Sequence, residues 1–390
     1  MLRLLLSICL LSCVQAHALT EKEIQGFIDE AIKAGGGEVM IPPGVHEITR
    51  GLVIKDAMNL RLIGLDAETT VLKLPPLTFA ETAADTSTGS DRIVTSRLQN
   101  LAPEMRLHIE ADGAIDSFTK KPKPYVLAVV KALEGNTILL REPLKFAVPA
   151  KALIRHEDAP NLIEIRGTSE GVRIEKFTLD GGRVDGDLPV RGHAQLCGVF
   201  AAGPYSYEKG PTGPRIKDVA VTRCIIKNCH GRGVALYSAE APVVEDCTIM
   251  DTTDEAIDLD HFTIKAVVRH NHIARCLVGV ELNDASDCLV SANEFRNCTT
   301  GINLWRWCKQ PGLNEGNRIE NNLFQDTAGN AVQISTGTAK NSVLGNEIIR
   351  SGRNGITLAG SGQIVQGNKI SGSKLKAVAV NEGEHQISEK

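Results

Sequence analysis

The sequence predicts an all-β protein wound as a right-handed parallel β-helix, a solenoid of short stacked strands, with an N-terminal capping α-helix and a small inserted β unit. Three observations predict it. From Arg215 onward one pattern recurs roughly every 23 residues, as in "VTRCIIKNCHGRGVAL", "VVEDCTIMDTTDEAIDL", "VVRHNHIARCLVGVEL", "LVSANEFRNCTTGINL" and three further copies. The 390-residue chain is long for one compact core, yet no Ser/Pro-rich linker divides it, and a solenoid enlarges its core coil by coil. Neither helical periodicity nor Leu-x-x-Leu-x-Leu spacing is present, which excludes ankyrin-type and leucine-rich arrays.

At the N-terminus, Arg3, the apolar run from Leu4 to Leu11 and Ala16-His17-Ala18 read as a cleaved export signal over residues 1–18, so a secreted or periplasmic protein beginning at Leu19 is expected. The rival reading is a lipid anchor at Cys13, after Leu10-Leu11-Ser12. Removing this leader removes one Arg and takes the net charge from −4 to −5, an acidic balance that argues against a nucleic-acid partner. No later apolar run is long enough to span a bilayer.

Residues 19–74 are expected to hold the cap and first coils. Thr20-Glu21-Lys22-Glu23 is a capping box, Ile24, Phe27, Ile28, Ala31 and Ile32 form one helical face, and Gly35-Gly36-Gly37 ends the helix. Covering the open end of a solenoid protects its edge. Over residues 75–158 the period fails, and "RLHIEA", "YVLAVVKAL" and "NTILLREPL" read as antiparallel strands of an inserted unit. Coils resume over 159–380, and 381–390 read as a polar tail. A second irregularity, residues 181–214, brackets the strand "CGVFAA" with loops, the usual place for binding groups.

Register within the repeats predicts two interior ladders. One is Cys224, Cys247, Asn271, Asn293, Asn322, Asn346 and Asn368; the other is Cys229, Thr252, Cys276, Cys298, Thr327, Ser351 and Ser373. Members should stack at about 4.8 Å, with Asn amides bonding along the axis. Five cysteines are thereby explained as packing residues, stacked thiols by preference, with Cys224–Cys247 and Cys276–Cys298 close enough for disulfides as the alternative. Metal-type cysteine spacing is absent.

In the strand closing each coil, alternate residues face outward. The first outward row is Phe200, Ala235, Asp258, Glu281, Asn303, Gln333 and Thr357; the second is Ala202, Tyr237, Asp260, Asn283, Trp305, Ser335 and Ala359. Asp258, Asp260 and Glu281 therefore converge, with Asp258 about 5 Å from Glu281 and about 7 Å from Asp260 between backbones. Paired acids beside the rings of Phe200, Tyr237 and Trp305, with Asn283 and Asn303 in reach, suit a polysaccharide: rings stack on sugar faces, and two carboxyls serve as acid and base or nucleophile. His261 is a candidate proton shuttle, and His193, Tyr205 and Tyr207 are candidates to line the groove. The plainer readings are a solvated polar face, His230 and Arg232 merely pairing with Glu255, or Ca²⁺ on Asp258, Asp260 and Glu281, with no other cofactor required.

The chain resembles the pectin-lyase-like β-helix superfamily. "AGGGEVMIPPGVHEI" is similar to the opening segment common to these proteins, and "FTLDGGRVDG" to a segment that precedes the catalytic coils in several. The resemblance covers nearly all of the chain after the leader and implies the scaffold and a carbohydrate substrate rather than one reaction. Polygalacturonases have Asp on the outward face, as at Thr253-Asp254 and Asp258, but their His-Gly follows the acids, whereas His230-Gly231 precedes them here, and Arg215-Ile216-Lys217 comes too early. In mannuronan epimerases the catalytic Asp aligns with Ala235, and only Asp258 and Asp260, one coil on, offer a displaced site. A lyase would need a base at Lys265 or Arg269, at unfamiliar spacing. The expectation is therefore glycosidic hydrolysis, with a calcium-assisted lyase or uronate epimerase and a non-catalytic glycan-binding protein as alternatives.

Overall fold

The structure is a computed structural model and describes residues 18–76, 79–115, 122–156, 160–184 and 196–388. Residues 1–17 of the expected leader and His193 lie outside these residues. Glu21–Lys33 is helical, and its capping box is complete: Thr20 Oγ1 accepts from the Glu23 N–H, and Glu23 Oε2 accepts from the Thr20 N–H at 2.8 Å. Ile24 and Ile28 are buried against the first coils. The Gln25 amide bonds both the N–H and the C=O of Val53 at 2.9 and 2.8 Å, satisfying a strand edge that would otherwise be open.

Beyond the helix the chain winds as a right-handed parallel β-helix. Among the described residues, three parallel sheets of eleven, ten and ten strands run its length. Val, Ile and Leu from all three fill one continuous interior, which includes Leu62, Ile174, Val221, Val244, Val268 and Val290. Phe295 and Phe324 stack face to face inside it, with centroids 4.7 Å apart and planes 6° apart.

The Asn ladder forms as the register predicts. Asn271 Nδ2 donates to Asn293 Oδ1 at 2.9 Å, Asn293 to Asn322 at 3.0 Å, Asn322 to Asn346 at 2.9 Å and Asn346 to Asn368 at 2.9 Å. Each Oδ1 also accepts the backbone N–H of the coil before it, as Asn322 Oδ1 does from Asn293 N at 3.0 Å. The residue ahead of each ladder position is left-handed, for example Asp246 (φ 55°), His270 (56°), Ala292 (53°), Asn321 (54°) and Gly345 (62°). That conformation turns the chain sharply and frees the backbone groups that the amides then satisfy. A second ladder, Asn317 to Asn341 (3.0 Å) with Gln363 accepting from Asn341 N (2.8 Å), escaped the sequence reading because variable loops precede it. The eight described cysteines are buried free thiols, and Cys276 and Cys298 stack with sulfurs 3.2 Å apart.

The inserted unit is antiparallel, and it closes into a barrel of six strands, Phe79–Thr82, Arg92–Gln99, Arg106–Ile115, Pro122–Glu134, Thr137–Leu140 and Leu153–His156. Ile93, Leu107, Ile109, Ile138 and Ile154 form its own core. The segment read as a polar tail behaves differently: Gln386–Ser388 pairs with Ile364–Gln366 and supplies the last strand of the eleven-stranded sheet. Its single apolar residue, Ile387, left too little pattern to reveal a strand.

Asn322→Ala removes the acceptor of two Asn293 donors and the donor to Val290 O, leaving buried groups unsatisfied. The variant is expected to lose about 2 kcal/mol or more in urea unfolding, and a loss below about 0.5 kcal/mol would show that the amides do not hold the coils together.

Candidate functional site

The site lies on the outer face of the ten-stranded sheet that runs from Leu52–Lys55 to Val378–Val380. Its register gives the outward rows directly. Phe200 pairs with Ala235, Ala235 with Asp258, Asp258 with Glu281, Glu281 with Asn303, Asn303 with Gln333 and Gln333 with Thr357. In the second row Tyr237 lies opposite Asp260, and Asn283 opposite Trp305.

These acids do not form an open solvated face. Asp258 is 1% exposed, Asp260 6% and Glu281 8%. Part of the cover is a short hairpin in which Tyr205–Ser206 pairs with Gly210–Pro211. Tyr205 stacks on His261 with centroids 4.7 Å apart, and Tyr207 and Tyr237 meet the same imidazole edge-on at 4.6 and 4.8 Å. Gln310 Nε2 donates to Glu208 O at 3.0 Å and pins the hairpin to the loop beyond Trp305. Phe200 meets Tyr237 edge-on at 5.2 Å, so Tyr237 is a buried hydroxyl donor rather than an exposed sugar platform.

Asp258 Oδ2 accepts from Tyr237 OH at 2.8 Å and lies 2.6 Å from Arg232 Nε, whereas its buried Oδ1 has no hydrogen-bond partner. Arg232 faces Glu255 at 2.7 Å and Asp254 at 3.4 Å as well. The turn before the strand thus brings in a cation that the sequence reading had paired with Glu255 alone. One guanidinium cannot offset three carboxylates. Burial, with Asp258 beside it, pushes Glu255 up to about 10, and burial with Asp260 nearby raises Asp258 to about 7.

Glu281 is held at both oxygens, by Trp305 Nε1 at 2.7 Å and Asn303 Nδ2 at 2.9 Å. Burial and the charge of Asp258 nonetheless bring it to about 7. Asp260 is also raised by burial, while its Oδ1 accepts the His261 N–H at 2.6 Å and its Oδ2 lies 3.0 Å from His261 Nε2. His261 and Phe262 are both left-handed (φ 43° and 71°), a strained pair of non-glycine residues that folds the imidazole back over the strand end. Burial lowers His261 to about 4, so the ring is neutral near pH 7, and its buried Nδ1 has no partner. Asn283 Oδ1 and Asn303 Oδ1 are likewise buried without partners.

Asp258, Asp260, Glu281, His261, Tyr237, Asn283, Asn303 and Trp305 are therefore brought together. Asp284, which accepts the N–H groups of Trp307 and Cys308, and Trp307, edge-on to Trp305 at 5.6 Å, complete the far wall. Sequence reasoning missed both because they follow the strand ends, where alternation stops. Among the described residues, the triad whose ligand atoms lie within 4.8 Å of one another is Glu245, Asp246 and His270, on an exposed turn where Arg269 already contacts Glu245 at 2.7 Å. The acids considered for Ca²⁺ form no such triad: donors and a guanidinium take Asp258 Oδ2 and both oxygens of Glu281.

Comparison with known proteins agrees with the fold. The sequence model "Right handed beta helix region" matches residues 209–315, and "Periplasmic copper-binding protein (NosD)" matches residues 265–389. No curated protein matches the chain by sequence. The A-module of an Azotobacter vinelandii mannuronan C-5 epimerase is similar in structure, with TM-score 0.56 and 16% identity over 92% of this chain and 75% of that one. A glycoside hydrolase gives 0.53 and 11% over 94% and 91%, and the pre-mature gene product 12 of bacteriophage phi29 gives 0.51 and 11% over 95% and 51%. At such identities the likeness establishes the shared fold.

Because the folded state raises Asp258 and Glu281, these two carboxyls hold more protons than in the unfolded chain between about pH 4 and about pH 7; Glu255 extends the excess toward about 10, and His261, lowered to about 4, offsets part of it below 6.5. The stability that Asp258 and Glu281 contribute is therefore full below the unfolded value and is lost as pH rises through about 7. Thermal melts should show this fall, and Asp258→Asn, whose amide nitrogen can occupy the unpartnered Oδ1 position, should flatten it by about 1 kcal/mol or more. A slope that Asp258→Asn leaves unchanged would assign the effect to other groups.

Proposed function

We propose that the protein is an exported enzyme that hydrolyses glycosidic bonds of a polysaccharide at Asp258 and Glu281. One observation carries this reading: of two buried carboxyls on neighbouring strands, each brought to about 7, Glu281 is held at both oxygens and Asp258 at one. Donors favour the anion of both groups, two N–H groups at Glu281 and Tyr237 with Arg232 at Asp258 Oδ2, but Asp258 Oδ1 has no partner and so leaves a place for a proton that Glu281, held at both oxygens, lacks. At neutral pH the pair shares one proton. Asp258 then protonates the departing glycosidic oxygen, and Glu281 acts as base or nucleophile toward the sugar carbon. Trp305, fixed by its bond to Glu281, and Trp307 offer ring faces to the sugar, and Asn283 and Asn303 offer carbonyl oxygens to its hydroxyls.

His261 favours a second reading. A neutral, buried imidazole with an unpartnered Nδ1 among tyrosine rings is suited to take the proton next to a uronate carboxyl, as a lyase or epimerase requires. Support for carbohydrate chemistry also comes from the names of the structural neighbours, a mannuronan epimerase and a glycoside hydrolase. An export leader and the NosD similarity support a periplasmic or secreted location.

Incubation with a panel of neutral and uronic polysaccharides decides among these. Hydrolysis releases reducing ends without an unsaturated product. It should follow a bell-shaped pH profile centred near 7, as expected for the coupled pair, and fall about 100- to 10,000-fold in Asp258→Asn and in Glu281→Gln. Ultraviolet absorbance of an unsaturated uronate, lost in His261→Ala and retained in Glu281→Gln, would replace hydrolysis by elimination. Binding without turnover on any substrate would make the face a glycan receptor.

A further inference from the structure

Two coils beyond Glu281, the same outward rows line a cavity of about 470 Å³. Its hydrogen-bonding walls are built from amides already fixed in orientation. Asn330 Oδ1 accepts the Asn354 N–H at 3.0 Å and Asn354 Oδ1 accepts the Lys376 N–H at 3.1 Å, which aims both NH₂ groups along the face. Asn330 Nδ2 then donates to Gln333 Oε1 at 3.0 Å, and Asn354 Nδ2 to Thr357 Oγ1 at 3.2 Å. With their acceptor atoms engaged, the Gln333 NH₂ and the Thr357 hydroxyl remain as donors for a ligand.

No carboxylate lines this cavity, and the cation at its rim is Arg353. Other exposed arginines of the solenoid hold a carboxylate, among them Arg275 with Asp251 (2.7 Å), Arg318 with Glu320 (2.6 Å) and Arg350 with Asp326 (2.6 Å). Arg353 has no such partner among the described residues. A pocket of oriented donors with an uncommitted guanidinium is complementary to an acceptor-rich, negatively charged group. The rows thus run from acids at Asp258 and Glu281, through Asn303 and Trp305, to this donor-lined end, at a distance of about 10–14 Å, two to three strand spacings.

We propose that this cavity is a docking subsite for an anionic sugar unit, carboxylate or sulfate ester, with Arg353 as its charge partner and Gln333 and Thr357 as its donors. The proposal rests on the reading that the face takes a polysaccharide, and it makes that polysaccharide acidic and lays it along the solenoid axis. Like charge disfavours an anionic unit against the carboxylates, so the substrate is held by a unit a few residues away from the bond acted on.

The test is calorimetric titration of the purified protein with hexamers of galacturonic, glucuronic and mannuronic acid, their carboxyl-reduced neutral forms, and a sulfated galactan hexamer. At least one anionic hexamer should bind about tenfold or more tightly than its neutral form, and Arg353→Gln should remove that preference. Thr357→Val should weaken the same hexamer severalfold. Equal affinity for charged and neutral hexamers, a preference untouched by Arg353→Gln, or no binding of any hexamer overturns the subsite. Arg353-dependent binding without turnover instead retires the catalytic reading and leaves the subsite standing.

Discussion

The structure depends on axial registry between coils. Each coil is too short to bury its own apolar residues, so every strand relies on the coils above and below it. The Asn amides fix that registry. A side chain bonded to the next amide along the axis and to a backbone N–H of the preceding coil leaves little room for a coil to slip. A slip of one residue would turn Asp258 and Glu281 into the apolar interior and bring Leu259 and Leu282 out. The ladder and the acid row are thus consequences of one constraint.

Registry explains the electrostatics as well. It places carboxylates of successive coils one strand spacing apart, and the hairpin carrying Tyr205 and Tyr207 packs on His261 and Tyr237 beside Asp258 and Asp260. Charge proximity and desolvation then act in the same direction on Asp258 and Glu281, while Arg232, divided among three acids, offsets only part of it. Buried polar atoms without partners, Asp258 Oδ1, His261 Nδ1, Asn283 Oδ1 and Asn303 Oδ1, are costly to a fold, and their concentration on one patch is the usual mark of groups kept for a ligand.

The solenoid and both outward rows were legible in the sequence because a period of two within the strand, combined with a repeat of about 23 residues, assigns each side chain a face and a coil. What surrounds the acids was not legible. The Tyr205 hairpin interrupts the repeat, so nothing in the strand pattern shows that it covers Asp260 and His261. Arg232 sits in a turn, where its reach to Asp258 depends on side-chain geometry. Trp307 and Asp284 lie past strand ends, and Ile387 is a lone apolar residue in a polar stretch. The inserted unit was readable as antiparallel strands, whereas its closure into a barrel depends on pairings between distant segments such as Phe79–Thr82 and Leu153–His156.

In the proposed site, registry creates a buried carboxyl pair that shares one proton near neutrality. The most direct measurement is a carboxyl-carbon NMR titration of protein labelled at Asp and Glu, with signals assigned through Asp258→Asn and Glu281→Gln. A shared proton gives two coupled transitions bracketing about pH 7, and a fall in the remaining group's apparent pKa when its neighbour is neutralised. Independent titration of both carboxyls near 4, the ordinary exposed range, would contradict it.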